Sequence, residues 1–240
     1  MLAAFCQLAR GHPITTQASD AAVLPPYQLY TGDGTVQQGW PGTNQWVSFD
    51  AMWDNNQELM ISSCTQYNQA NNQPQELVDL HDTVRSIAAS SGVDERFILA
   101  IILQESGGCL RAPTSYLGVT NPGLMQDHNG FGTCFGANTC SAEAIRLMVS
   151  DGVIGTYDGY NPQGMGGAGD GLKQCIAQAE NGGARDATAI YRAARIYNTG
   201  SYHLGEDLSA PKVATLCYAS DIANRLTGFH GLESGCRLQR

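Results

Sequence analysis

The stretch "VDERFILAIILQESGG", residues 93–108, constrains this chain more than any other. Its apolar side chains lie all round the helix they would form, and a helix without a polar face has to be wrapped on every side. Asp94 reads as its N-cap, and the pair Gly107 and Gly108 as its stop. The rest of the chain must therefore supply elements that pack around a central helix. A length of 240 residues is enough to bury a full core, as one domain or as two small lobes.

Those elements read mostly as helices. "PQELVDLHDTVRSIAASSG" places Leu77, Leu80, Val84, Ile87 and Ala88 on one face, between Pro74 at its start and Gly92 past its end. Further helices read as "SAEAIRLMVSDG", "DGLKQCIAQAENGG", "RDATAIYRAARIYNTG" and "APKVATLCYASDIANRLTGF". Residues 1–72 carry no sustained helical period and read as an irregular extension of loops with a short strand pair, packed on or near the body formed by 73–240. The fold class is mainly α, with α+β left open through that extension. Trp40, Trp46 and Trp53 all fall in it; stacking on sugar rings is one use for them, and covering the helical core is the preferred one.

The charge balance narrows the partners. With 13 Lys and Arg against 22 Asp and Glu, the net charge is −9, which argues against nucleic acid and against anionic surfaces as electrostatic targets. No apolar run reaches the length of a membrane span. Eight cysteines without a C-x-x-C pair, Cys6, Cys64, Cys109, Cys134, Cys140, Cys175, Cys217 and Cys236, read as disulfides formed in an oxidising compartment. The opening "MLAAFCQLARG" makes a poor signal peptide, so secretion is inferred from the cysteines alone.

Glu105 ends the central helix. It shares a face with Ile101 and sits at the negative end of the helix dipole, where protonation is favoured. Desolvation by aliphatic neighbours acts in the same direction, and a carboxyl that keeps its proton suits a general acid. The competing reading is a glutamate that swings into solvent or pairs with Arg111.

Three segments in order decide between them: Glu105-Ser106, Gly123-Leu124-Met125-Gln126 and Ile196-Tyr197-Asn198-Thr199-Gly200, with Tyr218 as a weaker fourth. Together they resemble the goose-type lysozyme and soluble lytic transglycosylase superfamily, glycoside hydrolase family 23, over roughly residues 75–229. The resemblance implies a lysozyme-like helical fold and a cleft for a chain of N-acetylhexosamines. Glu105 would protonate the glycosidic oxygen. Gln126 and Asn198 would bond sugar groups, Tyr197 and Tyr218 would line the cleft or touch the acid, and Ser106 would orient the carboxyl or the substrate. Met125 is weighed between the cleft and the core.

Hydrolysis with inversion needs a second carboxylate, and Asp127 is the first candidate, with Asp158 and Asp170 behind it. The other reading of Asp127 is an exposed turn carboxylate. The expected protein is a secreted monomer acting on peptidoglycan, or on chitin, without cofactor or metal. A transglycosylase giving 1,6-anhydro ends and a non-catalytic wall-binding or elicitor-type protein are its rivals. "GMGGAG", residues 164–169, follows no strand and reads as a loop at the cleft rim rather than a dinucleotide site. The five histidines show no ligand spacing, no G-x-S-x-G elbow occurs, and no N-glycosylation sequon is present.

Overall fold

The computed structural model describes residues 25–116, 118–156, 169–211, 214–231 and 234–238. They form seven α-helices: α1 (Phe49–Ser62), α2 (Pro74–Ser91), α3 (Glu95–Ser106), α4 (Ala142–Ile154), α5 (Leu172–Asn181), α6 (Asp186–Thr199) and α7 (Tyr218–Leu226). The one sheet among the described residues is a two-residue antiparallel ladder, β1 (Ser115–Tyr116) with β2 (Thr120–Asn121), pairing Ser115 with Asn121 and Tyr116 with Thr120. α3 is the hub, packed by α1, α2 and α7, while α4, α5 and α6 close the bundle through α2 and α7. Every residue of α3 from Phe97 to Leu103 is buried, as a helix without a polar face requires. Asp94 caps its start by accepting the Arg96 amide, and left-handed Gly107 ends it.

The extension departs from its expected irregularity. Residues 49–62 form α1, capped by Ser48, with Phe49, Met52, Trp53 and Met60 on its buried face. The expected strand pair does not form among the described residues before 73; three-residue and five-residue 3-10 helices at Val36–Gln38, Thr43–Gln45 and Ser63–Tyr67 occur instead. All three tryptophans are buried in the common core. Trp46 Nε1 donates to the Tyr191 hydroxyl at 2.9 Å, which donates to the Pro41 carbonyl at 2.8 Å, so α6 is keyed to the extension by buried hydrogen bonds. Residues 27–30 run along α7, where Asn224 exchanges bonds with both the amide and the carbonyl of Gln28.

The last helix is shorter than its sequence suggests. Ala214 and Cys217 adopt left-handed backbone, φ 75° and 59°, and the Cys217 amide donates to the Ser209 carbonyl rather than into a helical turn. Cys217 is also bonded to Cys236, so the chain enters α7 through a fixed corner. Two further disulfides join Cys64 to Cys109 and Cys134 to Cys140. Cys175 does not pair: it is free and buried on α5, a correction to the all-disulfide expectation. Cys6 lies outside the described residues. No described helix is long and apolar enough to cross a membrane.

Arg111, the suggested partner of Glu105, is committed elsewhere. Its guanidinium grips Glu76 at 2.6 and 3.0 Å and donates to the carbonyls of Ala137 and Asn138, all in the interior. Burial would raise the Glu76 pKa, but Arg111 and the amides of Cys140 and Gln73 outweigh it and hold the carboxyl below its usual range. This pair pins the Cys134–Cys140 loop to the start of α2. Glu76→Ala leaves a buried guanidinium unpaired and is expected to cost about 3–5 kcal/mol. Denaturant unfolding of the variant checks this, and a loss below about 1 kcal/mol, the range of a surface pair, contradicts it.

Candidate active site

Glu105 occupies the last turn of α3. The turn that follows is tight: Gly107 and Gly108 both take left-handed backbone, and a Cβ on Gly108 would lie 2.5 Å from Met60 Cγ. α7 delivers Tyr218 opposite, and its hydroxyl donates a short hydrogen bond to Glu105 Oε1. The register between the two helices is held one residue away, where Gln104 donates to Asp221 at 3.2 Å and accepts from Arg225 at 2.9 Å. Glu105 Oε2 has no partner among the described residues. The residue is half-buried, and desolvation of its carboxyl, opposed by the Tyr218 bond, raises its pKa from 4.5 to about 7. The C-terminal helix position favours the proton further.

Beside this lies a cavity of about 500 Å³ between α5, the end of α6 and the loop after β2. Gln126, Tyr197 and Asn198 line it, together with Asn121, His128, Asp170 and Cys175. Glu105 itself is not in the lining; Tyr197 is, and it lies within electrostatic reach of Glu105. Gln126 holds a left-handed φ of 48°, a conformation that side chains other than glycine adopt at a cost. It is kept there by its amide nitrogen, which donates to the carbonyls of Pro113 at 2.9 Å and Gly123 at 2.8 Å. Asn198 accepts the Thr215 amide at 3.3 Å, and the Tyr197 hydroxyl donates to the Met125 carbonyl at 2.9 Å.

Gln126, Tyr197 and Asn198 thus share one cavity and Tyr218 meets Glu105; Ser106, Met125 and Asp127 do neither. Met125 is fully buried, packed so closely on α4 that a Cβ at Gly152 would fall 2.5 Å from its sulfur. Ser106 is buried, donating to the Ile102 carbonyl and accepting the Gly108 amide, so its hydroxyl shapes the helix end. Asp127 is neither an exposed turn residue nor a cleft residue. It is 2 % exposed, and neither carboxyl oxygen has a hydrogen-bond partner. Its Oδ2 is wedged against Gly130, where a Cβ would fall 1.5 Å away. Burial first, then the charge of Asp151, push its pKa well above the usual range, so it holds a proton rather than accepting one.

Of the remaining carboxylates, Asp170 lines the cavity and Asp158 lies outside the described residues. Gly169 is the only described residue of "GMGGAG", and it too lines the cavity. Sequence reasoning missed Asn121 and His128; the latter's only signal was its place two residues after Gln126 in the loop. Among the described residues, no cluster of three or more His, Cys, Asp or Glu could hold a metal ion.

Buried carboxyls with raised pKa make stability depend on pH in a fixed direction. Between about 4.5 and about 7 the folded chain holds protons on Glu105 that the unfolded chain releases, so this contribution to stability falls as pH rises through that window. Asp127 acts in the same sense. Asp127→Asn is therefore expected to gain stability relative to the native chain as pH rises from 5 to 8, read as the difference in Tm at each pH. A difference that stays constant across that range contradicts the burial of an ionisable group at this position.

No family model, curated protein or solved structure matches the chain.

Proposed function

We propose that the chain is a glycosidase acting on β-1,4-linked N-acetylhexosamine polymers, peptidoglycan first and chitin second, with Glu105 as its general acid. The observation that carries this reading is a half-buried glutamate with a pKa near 7, oriented by Tyr218 and within electrostatic reach of Tyr197, which lines a cavity of amides and hydroxyls. A carboxyl of that pKa keeps its proton at mildly acidic pH and can give it to a leaving sugar oxygen as positive charge develops on the ring. Gln126, Asn198 and Asn121 supply donors and acceptors suited to hydroxyl and N-acetyl groups, and Tyr197 supplies ring surface. The ordered likeness to family 23 glycosidases supports the same assignment. Three disulfides suit an extracellular, oxidising setting. The described lining contains no Lys or Arg, which suits a neutral chain and keeps chitin beside peptidoglycan as a substrate.

One observation favours a second reading of the step that follows. Asp127 is enclosed and protonated, so it does not supply the base that inverting hydrolysis requires. Attack by the sugar's own 6-hydroxyl on C1 needs no second carboxylate of that kind and leaves a 1,6-anhydro end. Hydrolysis would have to draw its base from elsewhere, with Asp170 the described carboxylate on the cavity wall.

Mass spectrometry of the products from purified peptidoglycan and from chitin oligomers tests the reading. Reducing-end products indicate hydrolysis, and products lighter by one water indicate the anhydro route. Glu105→Gln is expected to lower turnover by about 10²–10⁴-fold with the fold intact. Activity is expected to fall as pH rises through about 7, when Glu105 loses its proton. Because the Tyr218 bond holds the Glu105 pKa down, Tyr218→Phe is expected to move that limb to higher pH. Oligosaccharide binding without products from either polymer replaces this reading with that of a wall-binding protein.

A further inference from the structure

The segment between α1 and α2 is fastened to the turn behind Glu105 with unusual thoroughness. Cys64 is bonded to Cys109. Asn72 donates to the carbonyls of Met60 at 2.9 Å and Gly108 at 2.8 Å, and accepts the Leu110 amide at 3.2 Å. Gln66 Nε2 reaches the Ser106 carbonyl at 3.3 Å. At its other side Gln69 accepts the Gly136 amide at 3.0 Å, tying the segment to the Cys134–Cys140 loop. Residues 63–72 are thereby a rigid bracket standing next to the acid.

Tyr67 is the residue this bracket places near Glu105, close enough that the Glu105 charge acts on its phenol after the effect of burial. It is half-buried, and the next residue, Asn68, turns the chain away with a left-handed φ of 54°. Its hydroxyl differs from those of the other site tyrosines. Tyr197 and Tyr218 spend theirs on Met125 and Glu105, whereas the Tyr67 hydroxyl has no hydrogen-bond partner among the described residues. A half-open ring with a free hydroxyl, on a rigid support beside a general acid, matches a pyranose ring, which offers an apolar face rimmed by hydroxyls.

We propose that residues 63–72 form a substrate-binding wall beside Glu105, and that Tyr67 on that wall binds an N-acetylhexosamine unit next to the bond being cleaved. This rests on the glycosidase reading. Tyr67 packs against the ring and donates its hydroxyl to a sugar oxygen; it takes no proton and forms no bond in the reaction.

The test measures, by calorimetry, binding of the fragment that the wild type cleaves, N-acetylglucosamine hexamer or a soluble peptidoglycan glycan strand, to the inactive Glu105→Gln protein. Tyr67→Phe in that background is expected to weaken binding about fivefold, by loss of one hydrogen bond. Tyr67→Ala is expected to weaken it about tenfold or more, by loss of the ring contact as well. In the active protein the same changes should raise KM and leave the Glu105 pH limb where it is, which a merely structural role would not do. Unchanged affinity in both variants overturns the proposal while the glycosidase reading stands. Failure of the wild type to cleave either polymer overturns both.

Discussion

A helix that is apolar on every side has to be enclosed, and the enclosure of α3 dictates the arrangement of this molecule. α1, α2 and α7 supply its walls, and the remaining helices pack on those. The same enclosure makes the end of α3 an unusual place for a carboxyl. Glu105 is surrounded by the surfaces that were recruited to cover the helix, so the desolvation that stabilises the core is what raises its pKa. Fold and proton affinity have one cause at this point: the core is completed up to the carboxyl whose pKa it raises.

Around that point the structure spends polar interactions on positioning. The Gln104, Asp221 and Arg225 bonds set α7 against α3, so that Tyr218 meets Glu105. The Glu76–Arg111 pair and the Cys134–Cys140 bond hold the loop against which the 63–72 bracket leans. Asp127 is the exception. It is a buried carboxyl without a partner, held protonated and adding only a pH-dependent liability in the state described, yet its loop carries Gln126 into the cavity.

Much of the helical body was legible in the sequence. α2 through α6 follow from apolar periodicity and their capping residues, because these helices bury one face locally and stop at glycine or at a capped start. α1 was not, although Phe49, Met52, Trp53 and Met60 have helical spacing. A buried polar residue, Asn56, interrupts the stripe, and the flanking Gly, Pro and Gln mask it. The corner before α7 depends on Cys217 pairing with Cys236, and pairings do not follow from spacing. Glu105, Gln126, Tyr197 and Asn198 were singled out because their short segments resemble those of family 23 glycosidases, with Tyr218 a weaker match. Tyr67 was not, since the Cys64–Cys109 bond and the long-range Asn72 and Gln66 hydrogen bonds that bring its segment to the end of α3 do not follow from spacing. Asp127 was read as a cleft carboxylate or an exposed turn residue because "QDHNG" is polar in sequence, and its burial, with Gly130 packed against the carboxyl, comes only from the folded loop.

The central claim is that Glu105 stays protonated to near neutrality because it is desolvated. The most direct measurement is a ¹³C NMR titration of the glutamate side-chain carboxyl carbons, with Glu105→Gln used to assign the resonance. The account predicts a midpoint about 7 for Glu105, well apart from the exposed glutamates. A midpoint at the ordinary 4.5 would mean that the carboxyl is solvated and charged at neutral pH, and the assignment of Glu105 as a general acid would fall with it.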